Sequence, residues 1–187
     1  DHKSSTNFVR RAYRWVFKGA ALQGLTLDVD SSALTRWGRQ IEGGKVGYNP
    51  RNRGRRSHHP LIALIAGVRL VANMWLRPGD SNTANNITGF IEETLENVWP
   101  GKVGLFMADS GFWCSEVMNL LESKGIHYII STRLTHAVQR EMVRSCRRWV
   151  TVDSGIQASE FLYRASGWAR PRRVVAIRQR ETEDRRD

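Results

Sequence analysis

The sequence predicts an α/β fold built on a mixed β-sheet, and three features of its hydrophobic pattern indicate this. Residues 25–31, Leu-Thr-Leu-Asp-Val-Asp-Ser, alternate apolar and polar side chains, as a half-buried strand does. Residues 61–77 read as two further strands joined near Gly67, although a single buried helix is the competing interpretation. From residue 81 onward, helical periodicities alternate with short apolar runs, which is the order of elements typical of α/β domains.

The first sixty residues are expected to place a strand between a helix and a long loop. Residues 7–23 carry an apolar stripe at helical spacing, and Gly24 is a plausible end for that helix. A shorter extended segment is expected within residues 32–42. Residues 43–60 are rich in Gly, Pro and Asn, which predicts a loop.

The remaining sequence predicts alternating helices and strands. Ser81 or Asn82 can cap a helix that runs to about Val98, and Pro100 and Gly101 end it. The segments that follow are a strand at 103–108, a helix near 113–124, a strand at 127–131, a helix at 135–148, and two strands near 156–164 and 172–179.

Positive charge is concentrated towards the two ends of the sequence. The chain has a net charge of +11, to which residues 1–60 contribute +8, residues 61–131 contribute −3 and residues 132–187 contribute +6. The middle section is also the most hydrophobic, so we expect it to form the core with basic surfaces on either side. Such an excess of cations favours a phosphate-rich partner, and a soluble protein with generic positive charge is the alternative.

The cysteines and the longest apolar run argue against several other classes of protein. Cys114 and Cys146 lie 32 residues apart and form neither a CxxC pair nor a zinc-ligand spacing, which fits a reducing compartment. The apolar run from residue 61 to residue 75 is interrupted by Arg69 and Asn73 and is too short to span a bilayer. We therefore expect a cytoplasmic protein without a membrane partner.

Two acidic residues at the ends of predicted strands are the leading candidates for a metal site. Asp30 lies near the end of the first strand, and Asp109 directly follows the strand at 103–108. If these strands are neighbours, both carboxylates lie at one sheet edge, where Mg²⁺ or Mn²⁺ would relieve their repulsion. Asp28 shares a strand face with Asp30 and could be the ligand or a supporting group. In the structural alternative, Asp30 caps a turn with Ser31, and Asp109 caps the following helix.

The predicted loop at residues 43–60 is the candidate DNA-binding segment, since it contains cations and no acid. Trp37 and Tyr48 could stack on an exposed base. His58 and His59 are possible metal ligands, but two adjacent histidines seldom bind the same ion. A solvated flexible loop is the alternative interpretation. The candidate phosphate contacts are Lys45, Arg51, Arg53, Arg55 and Arg56.

Five segments, taken in order, resemble a known family of proteins, namely residues 25–31, 45–50, 59–61, 108–112 and 172–179. The chain is similar to bacterial insertion-sequence transposases of the DDE class, in particular the IS thirteen-eighty family of the IS-four-like group, over most of residues 20–180. The resemblance implies an RNase H-like fold and an Asp-Asp-Glu triad that binds two Mg²⁺ (or Mn²⁺) ions. It also implies that a DNA element moves between its terminal inverted repeats.

The resemblance assigns two of the three acids. The first acid of the family directly precedes a Ser or Thr, which matches Asp30 and leaves Asp28 as a neighbour. The second lies in an Ala-Asp-Ser-Gly-Phe motif, which matches Asp109. The third is a Glu on a helix, within a Tyr-Arg-Glu-Lys-type motif that follows a β-rich insertion. We expect a partial transposase whose third ligand lies beyond residue 187. The acids that do not match the third motif are Glu160, Glu181 and Glu183.

The resemblance also implies a domain organisation and partners. Residues 1–24 would form an N-terminal helical segment, residues 25–150 an incomplete RNase H-like core, and residues 151–187 the start of a β-rich insertion and a polar tail. The partners would be the terminal inverted repeats and target DNA, on which we expect self-association at the bacterial nucleoid. We expect strand cleavage to be impaired by loss of the third acid. The alternatives are a non-catalytic DNA-binding remnant or domesticated protein, and another RNase H-like nuclease.

Overall fold

Two structural units divide the chain between Thr132 and Arg133. The domain boundaries expected at residues 24 and 150 stay predictions. The helix expected at residues 7–23 lies outside the described residues, apart from three helical positions at residues 11, 12 and 15. The computed structural model describes residues 11–12, 15, 24–38, 41–82, 86–98 and 102–179.

The first unit contains the strands predicted around the two candidate acids. The run at residues 61–77 forms a hairpin of two antiparallel strands and not a helix. No helix in the described part of the chain is long and apolar enough to cross a membrane. The strands of this unit are β1 (Leu25–Ser31), β2 (Leu34–Thr35), β3 (Lys45–Val46), β4 (Arg56–His58), β5 (Leu61–Ile65), β6 (Leu70–Trp75), β7 (Val103–Ala108) and β8 (His127–Ile130).

β1 is the central strand of a mixed sheet. Within the described residues the sheet has five strands in the order β6-β5-β1-β7-β8. β1 is antiparallel to β5 and parallel to β7, and β7 is parallel to β8. The α/β class with a mixed sheet is therefore confirmed.

The alternation of β1 sends its apolar and acidic side chains to opposite faces. Leu27 and Val29 are buried, whereas Asp28 and Asp30 are exposed. The buried face packs with two helices, α1 (Ile87–Val98) and α2 (Ser115–Ser123). The other residues of this core include Ala63, Phe90, Leu95, Phe106, Val117 and Leu121.

α1 is fixed on β6 by both apolar and polar contacts. The rings of Phe90 and Trp75 meet edge to face with their centroids 5.3 Å apart. The indole N–H of Trp75 donates to Glu93 at 2.9 Å, and the amide of Asn73 donates to the Thr94 hydroxyl at 3.2 Å. Because these bonds satisfy polar groups at the packing surface, the helix has a defined register against the strand.

Residues 43–60, expected as a loop, contain two short strands. In the described part of the chain β3 and β4 join β2 in a small antiparallel sheet of order β2-β4-β3. The loop after β3 touches the turn after β6, where a Cβ on Gly47 would overlap the carbonyl group of Gly79. The loop prediction is therefore wrong at residues 45–46 and 56–58, because strands this short leave no periodic pattern in the sequence.

The second unit consists of a helix and a small antiparallel sheet. Thr135 caps the helix, and its hydroxyl accepts a hydrogen bond from the amide of Val138 at 3.4 Å. The two strands predicted near residues 156–164 and 172–179 are confirmed. A further strand, β9, is short and fully exposed, and it was not predicted from the sequence. The elements are α3 (His136–Ser145), β9 (Val150–Asp153), β10 (Ile156–Tyr163) and β11 (Arg172–Gln179), with the described strands in the order β11-β10-β9.

Candidate active site

The parallel pairing of β1 with β7 brings Asp30 and Asp109 to neighbouring positions. Val29 pairs with Ala108, and the next residue on each strand is one of the two aspartates. Neighbouring strands lie about 4.8 Å apart, so both residues occupy the same edge of the sheet. Both side chains are exposed, and their carboxylates are accessible to a ligand from solvent.

Backbone amides hold one oxygen of each carboxylate. The amide of Ser31 donates to Asp30 Oδ1 at 2.7 Å, and the amide of Gly111 donates to Asp109 Oδ1 at 2.8 Å. Asp109 thereby caps the short 3₁₀ turn Ser110–Phe112. The capping arrangement considered from the sequence is thus present at both aspartates. It is compatible with metal binding, because each carboxylate keeps a second oxygen and the fixed oxygen orients it.

Asp28 has different neighbours from Asp30, although the two share a strand face. The residues paired with Asp28 are Leu64 on β5 and Met107 on β7, each 36% exposed. Asp28 therefore lies among apolar side chains, about 7 Å along the strand from Asp30. Since Asp109 lies beside Asp30, the register favours Asp30 over Asp28 as a member of an acidic pair.

The described residues supply two acids at this edge but no larger metal-binding cluster. Within the described ranges, no group of three or more His, Cys, Asp or Glu is placed to hold a metal ion. Glu160 lies in the second unit, on β10, where its carboxylate meets Arg173 at 2.6 Å. Carboxylate oxygens suit Mg²⁺ and Mn²⁺, and Mg²⁺ commonly binds through one or two carboxylates together with substrate phosphates. The donor chemistry of the pair therefore fits such a cation. Glu181 and Glu183 lie outside the described residues.

The small sheet is attached at the same sheet edge as the two aspartates. β2 begins four residues after Asp30, and β4 ends two residues before Pro60. At this junction Ser31 pairs with Leu61, and the amide of Ser32 donates to the carbonyl of Pro60 at 3.4 Å. The small sheet therefore adjoins the edge that carries the two aspartates.

The five predicted phosphate contacts are exposed, but they differ in their partners. The Lys45 ammonium forms an ion pair with Asp80 at 3.1 Å. The Arg55 guanidinium lies 5.2 Å from the centre of an indole ring. Arg51 and Arg53 make no hydrogen bond or ion pair within the described part of the chain. These two arginines are therefore the cations most accessible to a phosphate, while Arg56 is exposed on β4.

The adjacent histidines are buried hydrogen-bonding groups of this region. His58 Nδ1 accepts from Arg36 Nε at 2.8 Å, and its Nε2 donates to the carbonyl of Glu42, also at 2.8 Å. His59 Nδ1 donates to the carbonyl of Ser81 at 3.1 Å. Because a carbonyl only accepts, the ring nitrogen that faces it carries the proton in each case. His58 therefore links the segments next to β2 and β3 to β4, and His59 links the end of β4 to the turn after β6.

Arg77 is a buried residue of this region that the sequence analysis did not identify. Its Nε donates to the carbonyl of His59 at 3.1 Å, and its Nη1 donates to the carbonyl of Asn82 at 2.9 Å. Burial lowers the pKa of the Arg77 guanidinium from its ordinary value. No sequence signal marked this residue, because arginine is ordinarily exposed.

Comparison with known proteins assigns this chain to a family of transposases. The family described as Transposase DDE domain group 1 matches residues 7–186, so the chain belongs to this family. This match supports a DDE transposase, and it does not test the narrower assignment to the IS thirteen-eighty family. No curated protein matches the sequence.

Solved structures of transposases and integrases resemble this protein at low sequence identity. The piggyBac transposase synaptic complex with hairpin DNA is 16% identical with a TM-score of 0.51, over 83% of this chain and 33% of that chain. The Mos1 transposase paired-end complex is 15% identical with a TM-score of 0.39, over 66% and 40% of the two chains. The catalytic core domain of BIV integrase is 14% identical with a TM-score of 0.39, over 64% of each chain. The predicted RNase H-like fold is confirmed, and the chain spans about a third of the piggyBac protein.

Proposed function

We propose that this chain is the catalytic-core part of a bacterial insertion-sequence transposase of the IS thirteen-eighty family. It would cleave and transfer DNA strands at the ends of its element. The observation that carries the proposal is the β1–β7 register, which brings Asp30 and Asp109 to one sheet edge. Membership of the DDE transposase family supports the class of reaction.

Asp30 and Asp109 would hold the divalent cations, Mg²⁺ or Mn²⁺, of which two are expected in the complete site. When bound, such ions neutralise phosphodiester charge and lower the pKa of an attacking water or 3′-hydroxyl. Each aspartate has one oxygen held by a backbone amide, so its second oxygen is presented in a defined direction. Asp28 would add negative charge along the same strand face without being a ligand.

DNA would reach this edge across the small sheet. The exposed guanidinium groups of Arg51 and Arg53 are available to the phosphate backbone, together with Arg55, Arg56 and Lys45. The proposed DNA partners are the terminal inverted repeats and the target site, with several protomers assembled on them at the bacterial nucleoid. The piggyBac protein in its synaptic complex with hairpin DNA supports this mode of assembly by analogy.

We further propose that a third carboxylate, from outside the described residues, completes the site. Two carboxylates hold divalent cations less firmly than three, so Asp30 and Asp109 alone would support only weak cleavage of DNA. A non-catalytic DNA-binding remnant is the second candidate. This second candidate is favoured because the described ranges contain no cluster of three or more possible metal ligands. A DNA-binding remnant would need the cations but not the acids.

A nicking experiment on supercoiled plasmid tests the proposal. The chain is incubated with DNA and Mg²⁺ or Mn²⁺, and Asp30→Asn and Asp109→Asn are compared with wild type. We expect metal-dependent nicking that each variant reduces at least about 10- to 100-fold. The matched control is Asp153→Asn, because Asp153 is also exposed near a strand end and accepts from the next amide, at 2.7 Å.

Two outcomes would contradict the active-site assignment. Nicking that is equal in wild type and Asp30→Asn would show that the cleavage site lies elsewhere. DNA binding without any nicking by wild type would support the non-catalytic candidate.

A further inference from the structure

We propose that Trp37 and Tyr48 form a stacking site for an unpaired DNA base beside the acidic pair. The proposal rests on the proposed DNA-binding function and adds the form of DNA that the site prefers. Trp37 is 71% exposed and Tyr48 is 74% exposed. Large aromatic side chains gain free energy on burial, so two such side chains left in solvent beside cations indicate a surface that binds a ligand.

The Trp37 ring is already arranged for stacking. The Arg55 guanidinium lies 5.2 Å from the centre of the Trp37 ring. With this cation in place, Trp37 still exposes most of its surface, so the ring can offer a face to a base. Planar guanidinium and indole groups both stack on bases, whatever the base sequence.

The backbone that carries Tyr48 is held on both sides. Gly47 is in backbone contact with Gly79, and no larger residue fits at Gly47 without a shift. Asn49 is buried, and its amide donates to the Thr35 hydroxyl at 3.0 Å. Tyr48 therefore projects from a fixed segment, and little backbone order has to be gained when a ligand binds.

The length of chain between Asp30 and Trp37 limits how far the stacking site can lie from the acidic pair. Trp37 follows Asp30 by seven residues, and seven residues span at most about 25 Å. Duplex DNA rises about 3.4 Å per base pair, so this maximum separation of the two residues corresponds to about seven base pairs.

Charge and shape together favour a nucleic acid with an unpaired base. Arg51 and Arg53 supply cations for the backbone, whereas the rings of Trp37 and Tyr48 need an open base face. Paired bases in duplex DNA keep both faces stacked on neighbours, so only a bulged, frayed or flipped base can reach the rings. The inferred ligand is therefore DNA that is locally unpaired near the cleavage site.

A binding experiment with two duplexes of the same sequence tests this inference. One duplex carries a single unpaired 2-aminopurine, and the other is fully paired. We expect the full chain to bind the bulged duplex more tightly and to quench its 2-aminopurine fluorescence. Loss of one stacked base corresponds to about 5- to 150-fold in affinity, so Trp37→Ala should weaken bulged-duplex binding in this range. Paired-duplex binding should change less than about twofold, the effect of a few tenths of a kcal/mol.

Two further variants separate stacking from a general loss of structure. Trp37→Phe keeps an aromatic face and should retain most of the preference for the bulged duplex. Trp15→Ala removes an indole that is 77% exposed outside the small sheet and should leave the preference unchanged. Thermal unfolding of each variant verifies that the fold is intact.

The inference and the proposed function fail in different ways. Equal binding of the two duplexes by wild type, or an unchanged preference in both Trp37→Ala and Tyr48→Ala, would overturn the stacking site alone. Absence of binding to either duplex would overturn the proposed DNA-binding function and the stacking site together.

Discussion

Gly47 lies against the backbone of Gly79, and neither position accommodates a side chain. A Cβ on Gly47 would overlap the carbonyl of Gly79, and a Cβ on Gly79 would overlap the carbonyls of Lys45 and Ser57. This contact fixes the loop after β3 against the turn after β6. The candidate DNA-binding segment is therefore held to the main sheet and is not a free loop.

Replacing Gly47 with alanine should displace this segment. Because the obstructing atoms belong to the backbone, we expect Gly47→Ala to lower the free energy of unfolding by about 1–3 kcal/mol and to weaken DNA binding. Urea denaturation and fluorescence anisotropy measure the two effects. The control is Gly54→Asn, since Gly54 has a φ of 75° and open space, and Asn tolerates this conformation. Equal effects of the two substitutions would show that the contact is unimportant.

Phe90 should be among the most important residues for stability. It is fully buried between α1 and the sheet and contacts Trp75. Truncation leaves a cavity, so Phe90→Ala should lower the free energy of unfolding by about 3–5 kcal/mol. Glu92→Ala, at an exposed position of the same helix, is the matched control. A loss of less than about 1 kcal/mol on urea denaturation would contradict this packing.

The salt dependence of DNA binding should show whether Arg51 and Arg53, which lie between β3 and β4, contact phosphates. Each phosphate contact adds about 0.9 to the slope of log affinity against log salt, so Arg51→Gln with Arg53→Gln should reduce the slope by about 2. The control is Lys124→Gln, because Lys124 is exposed just before β8, at the opposite edge of the parallel strands. An unchanged slope in the arginine variant would mean that DNA binds another surface.

The Cys114 thiol should lose its proton at a higher pH in the folded protein than in the unfolded chain. Its thiol is half-buried against the core, and this burial raises the pKa of Cys114. Because folding raises this pKa, the protonated thiol contributes to the free energy of unfolding. This contribution is complete below the pKa of the unfolded thiol and is lost as the pH rises through the folded pKa. Alkylation of the Cys114 peptide by iodoacetamide, followed by mass spectrometry, should have a higher pH midpoint in the folded than in the urea-unfolded chain. An equal or lower midpoint would contradict this assignment.

The long apolar segments could be predicted from the sequence because their signals are local. Alternation along β1 identified that strand, and the turn at Gly67 identified the β5–β6 hairpin that pairs with it. β3 and β4 could not be found in this way, because two- and three-residue strands are defined only by their pairing. Arg77 was missed for a related reason, since its burial results from contacts between distant segments.

In the candidate site too, some features follow from the local sequence and others only from the pairing of strands. Alternation places Asp28 and Asp30 on one face but cannot rank them, because both positions are equivalent within a single strand. Asp109 distinguishes them, since the β1–β7 register puts it beside Asp30. Register is a non-local property, so local sequence pattern could propose the two acids but could not show that they are neighbours.

Calorimetric titration with Mn²⁺ tests the metal-binding role of Asp30 and Asp109 most directly. Wild type is compared with the Asp30→Ala, Asp109→Ala double variant, and Asp28→Ala serves as the control on the same strand face. We predict that wild type and the Asp28 variant bind Mn²⁺ and that the double variant loses this binding. Equal Mn²⁺ binding by wild type and the double variant would contradict the proposed metal site.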